Sequence, residues 1–339
     1  MRKQRKREHV ENFLRTTFKG DTLLDDVFLE HNALPELNLS EINTKMEFLG
    51  KEIDYPIMIN AMTGGSKFAA EINRDLSLLA SEFNIPMAVG SETIIVCEDD
   101  GCRGSFKVVR QNIGSEGVVI ANLSGHATLD DTKKALDIIE GDAMQIHLNV
   151  AQELSMEEGN RSFKGILDNI ENIVNNIDKP VIVKEVGFGI SKDVAQRLYD
   201  IGVQYVDVSG HGGTNFIEIE NLRNIGTDLT DLYSWGIPTA LSLIKCRELT
   251  DDLRIISSGG IRNSMDVARS LVLGADIVGV SGELLSYLVH GGYDNAYDYL
   301  DSLTYKLKMI MLMMGKKNLN DFRKSDYKIK GQLKELLDN

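Results

Sequence analysis

Eight short runs rich in β-branched and apolar residues recur along this chain, most of them separated by a stretch with apolar residues at helical spacing. They cover residues 53–62, 86–91, 117–123, 143–149, 180–186, 205–210, 254–260 and 277–282. Near-continuous apolar runs are what parallel strands covered on both faces require, and strand–helix alternation is the mark of α/β architecture. Residues 191–201 and 264–273 each begin with serine and carry apolar side chains at helical spacing, so they read as crossover helices. Eight strands fit a closed (β/α)8 TIM barrel better than a doubly wound sheet of five or six. The expected organisation is one domain, with residues 1–44 as an N-terminal arm and extension and 45–339 as barrel plus C-terminal helices. An insertion at 217–238 follows the sixth strand, where barrels build the rim of their sites. The stripe Leu300, Leu303, Leu307, Ile310, Met311 and Met314 reads as core.

The chain carries a net charge of -14, which excludes general nucleic-acid binding because phosphate backbones demand a broad cationic surface. No apolar run approaches a membrane span, and the basic N-terminus leads into Glu8-His9 rather than a signal-peptide core. The cysteines, Cys97, Cys102 and Cys246, make no even framework and no zinc spacing, which fits reduced thiols in a cytoplasm. In so acidic a protein the cluster Arg2 to Arg7 stands out: it is either a solvated tail or an anion-binding arm.

Polar and glycine residues gather at the C-terminal ends of the expected strands, where barrel enzymes place their sites. Strand one ends in Asn60-Ala61-Met62-Thr63-Gly64-Gly65, strand two in Gly90-Ser91 and strand three in Ala121-Asn122. Strand four holds His147 and Asn149, facing the barrel interior and followed by Gln152 and Glu153; such groups need partners or a ligand. Lys184 interrupts the apolar fifth strand, and because Glu185 must face the other way, a cofactor anion is its better partner. Glycine-bearing turns after strands seven and eight (Gly259-Gly260 and Ser281-Gly282) match the phosphate cradle of this fold. A phosphate-bearing cofactor across the barrel mouth, with a lysine near an electron-rich ring, describes flavin mononucleotide.

These motifs, with Arg5-Lys6-Arg7-Glu8-His9 and Trp235-Gly236, resemble the type 2 isopentenyl-diphosphate isomerases over nearly the whole chain. The resemblance implies interconversion of isopentenyl and dimethylallyl diphosphate, an allylic proton shift without net redox change, in isoprenoid biosynthesis. It implies reduced FMN, Mg2+, and NADPH or another reductant to reach the reduced state. FMN contacts would fall on Ala61, Met62, Thr63, Ser91, Asn122, Lys184, Ser209, Thr214, Gly259, Gly260, Ile261, Ser281 and Gly282. Substrate contacts would fall on Arg5, Lys6, His9, His147, Asn149 and Gln152, with Glu153 holding Mg2+. A homo-oligomer, tetramer or octamer, is expected. With no second carboxylate or strand-end cysteine to pair with Glu153, proton relay is assigned to the reduced flavin aided by Gln152 and His147. One departure stands out: Gly90-Ser91-Glu92-Thr93 lacks the arginine of the family pattern, and Arg103 is a candidate replacement.

Two other readings compete. An FMN-dependent 2-hydroxy-acid oxidase or dehydrogenase would use His211 as base, but Thr214 stands where an arginine for the carboxylate belongs. A catalytically silent flavin-binding scaffold would have no need of His147, Asn149, Gln152 and Glu153 in the barrel interior.

Overall fold

The computed structural model describes residues 2–94, 102–223 and 226–338, with side chains from Glu8 onward. Eight parallel strands close into a barrel: β1 (Ile57–Ile59), β2 (Met87–Ala88), β3 (Val119–Ser124), β4 (Ala143–His147), β5 (Val181–Lys184), β6 (Tyr205–Asp207), β7 (Arg254–Ser257) and β8 (Ile277–Val280). The order is sequential and β8 pairs with β1, with Val280 opposite Ile59. The barrel expectation is met. Each strand is shorter than its apolar run: from β4 to β8 the C-terminal residues of the run leave the ladder to form the turns above it, whereas β3 reaches Ser124 and sheds Gly117 and Val118 at its start.

The first run is corrected most. Residues 53–62 are not one strand: Lys51–Ile53 pairs antiparallel with Met46–Phe48, and the barrel strand begins only at Ile57. Pro56 lacks an N–H for a ladder, and Ile57 N–H turns back onto the Tyr55 carbonyl at 2.8 Å. The N-terminal extension therefore includes a hairpin beyond Thr44. Of the two expected crossover helices, Lys192–Asp200 is capped by Ser191 as read. In Ser264–Val272 the cap is Asn263, whose side chain accepts from the Met265 and Asp266 N–H groups, so Ser264 is the first helical residue.

Side chains pointing inward alternate with those facing the helices, and the inward row is layered. Met58, Ala88, Ile120, Ala143, Ile182 and Ile256 form an apolar floor closed from below by Phe48 and Ile53 of the hairpin. Two residues further along, on the same face, stand Asn60, Gly90, Asn122, Gln145, Lys184 and Ser258. The outward row packs under the surrounding helices as the main core, which also takes Leu300, Leu303, Leu307, Ile310, Met311 and Met314. The stripe is core, as its spacing indicates.

Ion clusters tie the opposite end of the barrel. Asp142 accepts from Lys51 Nζ and Arg110 Nη2, both at 2.7 Å, and from Val119 N–H at 2.8 Å. Burial works against its charge, but these donors outweigh it and hold the carboxyl below its usual range. Cys102 and Cys246 are buried thiols; burial pushes Cys246 up to about 12, which leaves it unreactive. Cys97 lies outside the described residues. No described helix is long and apolar enough to cross a membrane.

Candidate active site

The strand ends surround a cavity of about 1360 Å³. That exceeds the roughly 300–1,000 Å³ of a typical single-ligand pocket, so two ligands can share it. Its wall is built from β1 to β8 in turn. Ala61, Met62 and Thr63 follow β1, Ser91 and Thr93 follow β2, and Asn122 belongs to β3. From β4 onward come His147, Asn149, Gln152 and Glu153, then Lys184 of β5 and Ser209 and Thr214 after β6. Gly259, Gly260 and Ile261 after β7, with Ser281 and Gly282 after β8, complete the ring. Every residue expected to contact FMN, substrate or metal lines this one space, apart from Arg5 and Lys6. Their backbone lies in the helix Arg2–Phe13, and their side chains fall outside the described residues.

The turns after β6 and β7 interlock backbone to backbone. A Cβ at Gly259 would come within 3.0 Å of the Gly210 main chain, and one at Gly213 would meet the Gly260 main chain. Gly259 also has φ +96°. The close approach, more than flexibility, is why glycine recurs here. Ser209, a non-glycine with φ 37°, bends the chain out of β6 into this turn. No described protein group accepts the N–H groups of Gly259, Gly260 or Ile261. Gly282 opens a helix at the same wall, broken by the non-helical Gly292 before the chain continues helically to Met313. Unpaired N–H groups beside a helix N-terminus suit a phosphate.

Lys184 is buried, and its Nζ donates to the Glu185 carbonyl at 2.6 Å. Glu185 points the other way, where its Oε2 accepts from the N–H groups of Val186, Gly187 and Phe188. The side-chain pair is therefore not the partner of the lysine, in line with the sequence reading. Burial pushes Lys184 down, opposed by the charges of Asp207 and Glu185. Burial raises Glu185 to about 7.

Asn149, Gln152 and Glu153 sit not on a strand but at the start of the short helix Val150–Ser155. Asn149 Nδ2 lies 3.1 Å from both Gln152 Oε1 and Glu153 Oε1, so one amide orients both neighbours. With its oxygen so engaged, Gln152 keeps Nε2 as its donor end. Glu153 Oε2 accepts from Asn160 N–H at 2.6 Å. Among the described residues no group of three His, Cys, Asp or Glu converges as a metal cage. A single carboxylate suits a Mg2+ that keeps waters and takes other ligands from phosphate.

The sequence reading missed several parts of this wall. The arm lays Val10, Phe13 and Phe18 over the cavity and adds Lys19. It is pinned by Glu218, which accepts from Thr17 N–H at 2.8 Å, and by Arg223, which pairs with Glu8, Glu158 and Glu220. Glu218 and Arg223 belong to the 217–238 insertion, so its rim position was legible but its grip on the arm was not. His9 Nε2 is 2.7 Å from Glu220 Oε1, which gives this expected substrate contact a protein partner as well. Arg103 does not line the cavity; among the described lining residues the lysines and arginines are Lys19, Lys184, Arg223 and Arg262. Glu92, in place of the family pattern, is buried and ties β2 to β3: its N–H donates to the Asn122 carbonyl and its Oε2 accepts from Asn122 N–H. His211 lies behind the wall, with Nε2 3.3 Å from the Tyr233 carbonyl. An oxidase reading loses its base.

The pattern of the FMN-dependent dehydrogenase family matches residues 140–328. Among solved structures, a mandelate oxidase bound to (S)-mandelic acid superposes with a TM-score of 0.69 at 18% identity, covering 95% of this chain and 94% of that one, a likeness of fold. An isopentenyl-diphosphate delta-isomerase of Geobacillus sp. (strain WCH70) is 42% identical over 333 residues, 97% of this chain and 94% of its own. That of Bacillus licheniformis is 43% identical over 332 residues with the same coverage. At more than 40% identity over 97% of its length, this protein belongs to the isopentenyl-diphosphate delta-isomerase family, enzymes on the FMN-dependent frame.

Proposed function

We propose that this chain interconverts isopentenyl and dimethylallyl diphosphate by moving a proton across the allyl unit, with reduced FMN and Mg2+ bound in the barrel mouth. What supports it most is that one cavity is lined both by an FMN-type wall (Lys184 and the Gly259-Gly260 turn) and by a polar wall (His147, Asn149, Gln152 and Glu153). The volume leaves room for cofactor and substrate together.

The N–H groups of Gly259, Gly260 and Ile261, with Ser281 and Gly282, would hold the cofactor phosphate. Lys184 would face the electron-rich part of the ring, with Ala61, Met62, Thr63, Ser91, Asn122, Ser209 and Thr214 as the remaining contacts. When bound and reduced, FMN supplies a ring nitrogen able to exchange a proton, and NADPH or another reductant sets that state. Gln152 directs its Nε2 hydrogens as a neutral donor. His147, engaged through Nδ1 by Asn122, would contact the substrate with Asn149 beside it. Glu153 would hold Mg2+, whose charge would help bind the diphosphate. Arg5, Lys6 and His9 would clamp that diphosphate from the arm, while Phe13 and Phe18, which line the cavity, would exclude water. A charged clamp of this kind suits phosphate oxygens. A homo-oligomer, tetramer or octamer, in a reducing cytoplasm completes the proposal.

The test is direct. The purified protein should be yellow, and isopentenyl diphosphate followed by NMR should isomerise only under reducing anaerobic conditions. Bound flavin with no turnover would make the chain a scaffold; oxygen uptake with 2-hydroxy acids would make it an oxidase.

A further inference from the structure

Above the apolar floor the barrel is crossed by a chain of buried amides. Asn60 Nδ2 donates to Asp207 Oδ2 at 2.6 Å, and Gln145 Nε2 donates to Asn60 Oδ1 at 3.2 Å. Asn122 Nδ2 donates to Gln145 Oε1 at 2.7 Å, and Asn122 Oδ1 lies 2.8 Å from His147 Nδ1. Asp207, Gln145, Asn60 and Asn122 are at most 2% exposed. Amide ends and imidazole tautomers are fixed by their partners, and here the partners leave one solution.

Its direction is set by groups that cannot flip. The main-chain N–H of Ala61 donates to Asn60 at 2.8 Å, so the atom facing it must be oxygen. Asn60 Nδ2 then points to Asp207, whose other oxygen accepts from Ser258 Oγ at 2.6 Å and from Ser209 N–H at 3.2 Å. An oxygen at Asn60 demands the amide nitrogen of Gln145. Gln145 thereby presents oxygen to Asn122, Asn122 presents oxygen to His147, and Nδ1 must carry the hydrogen.

We infer that Asn60, Gln145 and Asp207 are positioning residues that hold His147 as its Nδ1–H tautomer, assigning Nε2 as the ring's acceptor in the neutral state. Histidine in water favours the opposite tautomer, so the relay does chemical selection as well as orientation. None of the three residues needs to touch substrate. Each acts through the next, from β6 to β1, β4 and β3. A histidine locked this way offers a defined atom to a ligand, and a wrong tautomer disables a site whose geometry is otherwise intact.

The experiment is 15N NMR of histidine-labelled, FMN-loaded protein at about pH 8, above the ordinary imidazole range. The His147 resonances are identified by their loss in His147→Gln. The expected result is a hydrogen-bearing Nδ1 and a bare Nε2 in the wild type, with mixed or reversed tautomers in Gln145→Met. A wild type with hydrogen on Nε2, alone or with Nδ1, overturns the inference. So does a Gln145→Met protein that keeps the wild-type pattern, because Asn122 alone would then suffice. Should Gln145→Met fail to fold, the wild-type spectrum still decides. The effect on turnover rests on the isomerase reading: kcat should fall by about 10- to 100-fold in Gln145→Met, the usual loss when an orienting partner is removed. Absence of isomerisation in the wild type would refute that reading and leave the tautomer result standing.

Discussion

Gly259→Ala should damage folding and flavin binding together, because the same backbone approach builds the barrel rim and the candidate phosphate site. The substituted residue must hold φ +96° with its Cβ against the main chain of Gly210, which has no flexible end to move aside. Backbone strain of this kind costs about 1–3 kcal/mol, and overpacking costs about 1–3 kcal/mol more, so about 4 kcal/mol in sum. Unfolding entropy of about 2.1 cal/mol/K per residue gives about 0.7 kcal/mol/K for a chain of this length. The Tm of the flavin-free protein should therefore drop by about 6 °C. Displacing the Gly259 and Gly260 N–H groups removes one or two charge-assisted bonds of about 1.5–3 kcal/mol each, so FMN should bind at least tenfold more weakly. Differential scanning calorimetry and flavin fluorescence titration measure the two effects. Gly104→Ala is the control. Among the described residues nothing stands within 4 Å of its added Cβ, and it should stabilise by about 0.4–1 kcal/mol. An unchanged Tm and FMN affinity in Gly259→Ala would refute the packing argument.

Three other outcomes are expected. Lys184→Ala should lose activity steeply and bind reduced FMN less well, read by turnover and by an anaerobic potential titration; full flavin and full turnover would remove the lysine from the site. Glu153→Gln should weaken the response to Mg2+, and an unchanged Mg2+ titration would exclude a ligand role. Because the Asp142 carboxyl is held below its usual range, its stabilisation is present above the ordinary carboxylate range and lost as pH falls through the lowered value. Asp142→Asn should therefore cost about 2 kcal/mol at neutral pH, with the gap to wild type closing below about pH 4 in urea melts. A gap independent of pH would assign the loss to packing.

The eightfold alternation was readable because parallel barrel strands are apolar on both faces, and the site was readable because polar residues interrupt them at one end. Lys184 in an apolar run and His147 two residues beyond Gln145 carry that signal in local sequence. Boundaries were less legible. Residues 53–62 read as one run because nothing local distinguishes a hairpin strand from a barrel strand except Pro56. The contributions of Glu218, Arg223 and Phe18 depend on contacts about 200 residues apart, such as Thr17 with Glu218, which no spacing rule reports. Asn60, Gln145 and Asp207 lie between these cases. Their inward direction follows from alternation with Met58, Ala143 and Tyr205, yet their hydrogen-bond order emerges only once the barrel brings five strands together.

The layered interior gives substitutions an altitude. Moving up one inward position is two residues, about 6.6 Å along a strand. At the level of Met58, Ile120 and Ile182, replacement is felt as lost cohesion and is open to volume-conserving exchange among apolar side chains. One rung higher, at Asn60, Asn122 and Lys184, the same exchange would leave neighbours unsatisfied or recast the cavity wall. A designer wishing to harden this protein has the lower storey to work in, and one wishing to change its ligand must begin on the upper.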